Sequence, residues 1–119
     1  MQRRQRLSRS RDFDAVYRHG RSASTRFLVL YWFSRDSDAA DDERRLGIAI
    51  PRKVGGAVVR NRVKRQLRES WTTLLPEIPE GNDYVLIVRE GLPEAIEVQG
   101  FSWLEERLRE VVEKIAVAA

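Results

Sequence analysis

Between residues 52 and 68 the chain carries seven basic side chains and no carboxylate. The stretch VVRNRVKRQLRES, residues 58–70, concentrates Arg60, Asn61, Arg62, Lys64, Arg65 and Arg68. Like charges one helical turn apart repel by roughly 0.2–0.5 kcal/mol per pair, and an ordinary exposed helix intersperses Glu to relieve them. Here nothing in the segment does so. A solvated charged face is the bland explanation, but a face built to meet a polyanion fits better, and DNA or RNA is the obvious polyanion. Arginine far outnumbers lysine. Its planar guanidinium suits bidentate phosphate contact and base stacking. The Asn61 amide donates and accepts, so it fixes an RNA edge or orients its neighbours.

Other residues with chemical potential carry less. Asp12, Asp14, Asp36, Asp38, Asp41, Asp42 and Glu43 could suggest a two-metal nuclease. Most lie in a polar loop without periodicity, where carboxylates are ordinarily solvated, so no protein-borne metal site is expected. His19, the one histidine, precedes Gly20 and reads as a helix C-terminal cap rather than a general base. The absence of cysteine excludes disulfides, thiolate zinc sites and cysteine nucleophiles, and fits a reducing cytoplasm.

Behind the basic stretch stands a helix with two sides. At about 100° per residue, Val59, Val63, Leu67, Trp71 and Leu74 fall within roughly 120° of arc, flanked by Ser70 and Gln66. Lys64, Arg68, Asn61, Arg65 and Arg62 fill the rest, and Arg60 stands at about 100°, near one edge of the apolar arc. Around it, SRSRDFDAVYRHG predicts a helix over 10–18, with Phe13, Val16 and Tyr17 at i, i+3, i+4 and Gly20 as its stop. RFLVLYWF predicts a strand over 26–33 in which Tyr31 and Trp32 face opposite sides, Trp32 toward the helices. Strands follow over 44–51, where Pro51 ends the strand or marks an edge, and over 84–90. FSWLEERLREVVEKIAVAA predicts a closing helix, and Trp71 and Trp103 are expected as core anchors.

The order is that of one α+β domain over residues 1–119, with helices against a small sheet and residues 1–9 as a mobile basic arm. A hydrophobic fraction of 42% and a charged fraction of 34% are those of a soluble globular chain. No apolar run suits a secretory signal or a membrane span, so a cytoplasmic location is expected. The net charge of +4 conceals a division: 18 Lys/Arg against 7 Asp/Glu over 1–68, and 4 against 11 over 69–119. The first part would meet the polyanion. Strand, helix, strand around the basic stretch would by default form a right-handed crossover.

The stretch RKVGGAVVRNRVKRQLRES, residues 52–70, closely resembles the signature of the bacterial ribonuclease P protein family, an Arg-Asn-Arg core followed by Lys-Arg and a further Arg-Glu. LSRSRDFDAVYRHG resembles that family's opening helix and STRFLVLYWF its aromatic strand. The resemblance implies an α-β-β-β-α-β-α order with a left-handed crossover around the basic helix, and a separate short strand near 21–23. It implies a protein cofactor of an RNA catalyst: an endoribonuclease that removes the 5′ leader of precursor tRNA, with Mg2+ held mainly by RNA. On this likeness Arg60, Asn61, Arg62, Lys64, Arg65 and Arg68 meet the RNA subunit. Phe13, Tyr17 and Tyr31 form the aromatic floor of a leader cleft, with Arg52, Lys53 and Arg89 as its cationic rim. Without it, Phe13 and Tyr17 would read as core packing. Tyr17 stands where the family often has Phe, and Pro51 where it commonly has a small polar residue. No obligate protein partner and no membrane contact are expected. Two rivals remain at this level: a ribosomal-type or DNA-binding protein with its helix in a groove, and a self-sufficient nuclease using the acidic loop.

Overall fold

The computed structural model describes residues 20–34 and 44–118, with side chains as far as Ile115. The basic arm, the helix expected over 10–18 and the acidic loop fall outside those residues, and with them Phe13, Tyr17 and His19. Four strands form one sheet: β1 (Arg21–Ser24), β2 (Leu28–Ser34), β3 (Arg45–Ala49) and β4 (Asn82–Val88). The spatial order is β1-β2-β4-β3, antiparallel except for the parallel β3/β4 pair. A parallel pair cannot be closed by a hairpin and needs a crossover. The crossover is the basic helix, α1 (Ala57–Leu74), entered through a 3-10 turn at Arg52–Val54. After β4 come α2 (Leu92–Gln99) and α3 (Phe101–Ala118).

The strand expected over 26–33 is shorter and has a partner before it. Thr25 donates its backbone N–H to the Leu28 carbonyl at 2.8 Å, closing a tight turn between β1 and β2. β1 is the short early strand the family resemblance implied. Pro51 lies two residues past the end of β3, and β3 is an edge strand.

Strand alternation sorts the aromatic run. Leu28, Leu30 and Trp32 join Leu46, Tyr84, Leu86 and Val88 in the core under the helices. Tyr31 and Phe33 pack with Val85 and Ile87 on the opposite face. A one-residue shift in register would exchange the two sets, so burial of the helix side fixes the pairing Tyr31↔Val85 and Trp32↔Tyr84. On the far face Arg45 holds Asp83, its register partner, through two hydrogen bonds of 2.9 and 2.6 Å.

α1 keeps the side the sequence assigned to packing. Val63, Leu67, Trp71 and Leu74 are buried, Ser70 with them, and Val59 is half-buried. Full burial of each such aliphatic side chain is worth about 1.5–3 kcal/mol. Trp71 meets Tyr84 edge to face at 5.0 Å, fastening the helix to the central strand. At its start, a Cβ on Gly55 would stand 2.9 Å from Val59 Cγ1, so only glycine lets the chain enter the helix this closely. α3 buries Leu104, Leu108, Val111, Val112 and Ile115, at the spacing read from sequence. Trp103 is only half-buried, less of an anchor than expected.

α2 was not anticipated. Eight residues offer only one i, i+4 apolar pair, Leu92 and Ile96, which is too little for periodicity to register. Its punctuation is nevertheless legible: Gly91 at φ 94° before it, Pro93 in its first turn and Gly100 at φ 92° after it.

Candidate nucleic-acid interface

The polar arc of α1 carries Arg60, Asn61, Arg62, Lys64, Arg65 and Arg68 together, Asn61 and Arg65 exposed and the others half-buried. Arg60, Lys64 and Arg65 have no carboxylate partner among the described residues. Arg60 Nε is buried and finds no acceptor. The first turn holds no acidic residue and Gly56 supplies no side-chain cap. A helix N-terminus is the positive end of its dipole, so cations there are opposed by the backbone as well as by each other. An anion from outside would relieve that repulsion.

One cation departs from the expectation that nothing relieves them. Arg62 Nη2 lies 3.5 Å from Glu97 Oε1. The carboxylate comes from α2, the element that the sequence did not disclose. The Arg62 side chain is 42% exposed and that of Glu97 70%, so the pair is worth no more than about 1 kcal/mol and yields readily to a stronger anion.

The cationic rim is assembled by the parallel pair. Arg52 and Lys53 follow the end of β3, and Arg89 follows the end of β4. Parallel neighbours finish at the same end of the sheet, so the three stand together there, just ahead of α1. Lys53 Nζ is 3.6 Å from Glu90 Oε1, an exposed pair. Arg89 donates through Nη1 to the Thr25 carbonyl at 3.0 Å, so the rim is pinned to the β1–β2 turn. Tyr31 sits on the far face with Ser22 and Val85 as register neighbours, three residues along the strand from the Leu28↔Val88 pair. That places it about 10 Å from the rim end. Phe13 and Tyr17, the remaining floor residues, lie outside the described residues.

Among the described residues no group of three or more His, Asp or Glu is placed to hold a metal ion. Asp83, the buried carboxylate, is already taken by Arg45. No helix among them is long and apolar enough to cross a membrane.

A small mixed sheet, packed under helices on one side and bearing aromatics on the other, with a crossover helix that turns uncompensated cations outward, defines a basic α+β protein of the polyanion-meeting kind. The model of the family Ribonuclease P matches residues 1–116, and the chain belongs to that family. It is 38% identical to the ribonuclease P protein component of Brevibacillus brevis over 117 residues, 98% of this chain and 87% of that protein. Among solved structures, the RNase P protein of Thermotoga maritima superposes with a TM-score of 0.80 at 33% identity, over 92% of this chain and 96% of that one. The RNase P protein of Staphylococcus aureus does so with a TM-score of 0.78 at 29% identity, over 94% of each. The α+β class implied by the resemblance is thus the observed one, and the chain is of the kind that forms the protein component of an endoribonuclease, the ribonuclease P holoenzyme.

Proposed function

We propose that this chain binds the catalytic RNA subunit of ribonuclease P through the cationic arc of α1. In the same complex it binds the 5′ leader of precursor tRNA across Phe13, Tyr17 and Tyr31, with Arg52, Lys53 and Arg89 along the rim. The observation that carries this is α1 itself: an apolar side buried in the core and, from its edge round to the opposite side, Arg60, Lys64 and Arg65 without carboxylate partners among the described residues. RNA phosphates are the partners such cations lack. For the leader, aromatic side chains flanked by cations suit a single strand, because stacking adds about 1–3 kcal/mol per base whatever its identity.

The protein in this scheme holds and orients; it does not perform the hydrolysis. Magnesium would polarise phosphate oxygens and activate water at the cleavage site, and its ligands would be mainly RNA phosphates. The described residues offer it no cluster of their own.

The test is leader dependence. Affinity for precursor tRNA with its leader is compared with affinity for leaderless tRNA, in complexes reconstituted with the wild-type chain and with Phe13→Ala or Tyr31→Ala. Loss confined to the leadered substrate supports the assignment. Equal loss for both would mean that these rings are merely structural.

A further inference from the structure

Beyond the rim, the β1–β2 turn, α2 and α3 enclose a groove of about 640 Å3, within the range of about 300–1,000 Å3 typical of small-ligand sites. Its floor is Phe27 and Trp103, ring centroids 5.5 Å apart and inclined at 71°. Each ring carries a guanidinium as an outer layer: Arg26 stands 5.1 Å over Phe27 and Arg107 stands 5.6 Å over Trp103. The backbone wall is held close by Gly91, where φ is +94° and a Cβ would lie 3.3 Å from Phe27 Cε1. Glu94 and Glu110 also line the space. Arg107 Nη2 is 3.0 Å from Glu110, while its Nε is buried and finds no acceptor.

The charge balance narrows the ligand. Two guanidiniums and two carboxylates leave the lining neutral, which argues against a run of phosphates. A neutral planar ring with donors and acceptors at its edge matches it. Nucleobases stack on aromatic rings and on arginine planes alike. A carboxylate beside them accepts from the exocyclic amino group of adenine, cytosine or guanine, which uracil lacks. Position narrows it further. Arg89 of the cationic rim donates Nη1 to the Thr25 carbonyl and its backbone N–H to the Phe27 carbonyl at 2.9 Å. A strand held at the rim therefore lies next to the mouth of the groove.

We propose that this groove seats one amino-bearing nucleobase of a single-stranded RNA, stacked on the arginine-capped layer of one of the two rings, Phe27 or Trp103, with its edge toward the other. The assignment rests on the RNA-binding function proposed above, and extends it to a face of the molecule that the leader cleft and α1 do not use.

Trp103 reports on its own occupancy, because Trp32 and Trp71 are only 8% and 1% exposed. The full-length chain is titrated with a short oligoadenylate and, separately, an oligouridylate, following tryptophan fluorescence. Saturable quenching that is tighter with oligoadenylate is expected, lost in Trp103→Phe. Arg26 is exposed, so Arg26→Ala tests the capping layer without threatening the fold. Whichever of Arg26→Ala and Arg107→Ala uncaps the stacked ring should weaken oligoadenylate by at least about 5-fold, the lower bound for one lost stack. Unchanged affinity in both variants, or equal affinity for the two oligonucleotides, overturns the proposal. So does quenching that follows protein concentration together with a sedimenting dimer, since a second copy covering the exposed Val98 and Phe101 would then own the groove. A chain that shows the expected quenching but does not bind the RNA subunit would overturn the function proposed above and leave the groove assignment standing.

Discussion

Replacing Arg60, Lys64 and Arg65 together by Gln separates the two sides of α1. The three have no carboxylate partners among the described residues, and the side that packs is formed by Val63, Leu67, Trp71 and Leu74. Folding stability should therefore fall by no more than about 1 kcal/mol, most of it from the packing of the half-buried Arg60 stem. Binding to the RNA subunit should not. Each phosphate neutralised contributes about 0.7–0.9 to the slope of log affinity against log salt, so losing three lowers the magnitude of that slope by about 2–3. Over a fourfold rise in salt, the native chain should lose about 20- to 40-fold more affinity than the variant. Filter binding across a salt series, beside urea denaturation of both chains, measures both quantities. An unchanged slope in a folded variant would refute the claim that these cations face phosphates, and a large loss of stability would refute the division of α1 into two sides.

Glu97→Gln removes the carboxylate beside Arg62; affinity for the RNA subunit at low salt should rise, by up to about 5-fold, and no rise would place Arg62 outside the interface. Leu67→Ala, at a fully buried position, should cost about 2–5 kcal/mol in urea unfolding; a cost under about 1 kcal/mol would mean that the stripe does not anchor the helix. Burial pushes the Tyr84 phenol up from 10.0 to about 12, against the opposing pull of the Asn82 hydrogen bond and the Arg44 charge. The fold prefers the neutral phenol, so this contribution is intact below about pH 10 and is lost as pH climbs from about 10 to 12, on the order of 2–3 kcal/mol. Tyr84→Phe should lack that part of the alkaline decline; an identical decline in both chains would place its cause elsewhere.

The large elements were legible because each repeats its signal. α1 and α3 show the apolar spacing over many turns, and β2 alternates over a run long enough to assign Trp32 to the helices and Tyr31 to the opposite face. The division between β1 and β2 was not visible in composition, since Thr25 closes the turn through a backbone bond that any residue but proline could make; only the family resemblance suggested it. α2 escaped because it is short, and with it went the partner of Arg62. The site was half legible for the same reason. A charge without a neighbour can be read along the chain, but the clustering of Arg52, Lys53 and Arg89 depends on β3 and β4 running parallel, and the opposition of Phe27 to Trp103 depends on tertiary packing.

The most direct test of the central claim is cleavage of a leadered precursor tRNA by the cognate RNA subunit at physiological magnesium, with and without this chain, and by this chain alone. No cleavage by the protein alone is expected, and correct 5′ maturation by the RNA should be strongly stimulated by the protein. Cleavage by the protein without RNA, or no stimulation of the RNA by the protein, would contradict the claim.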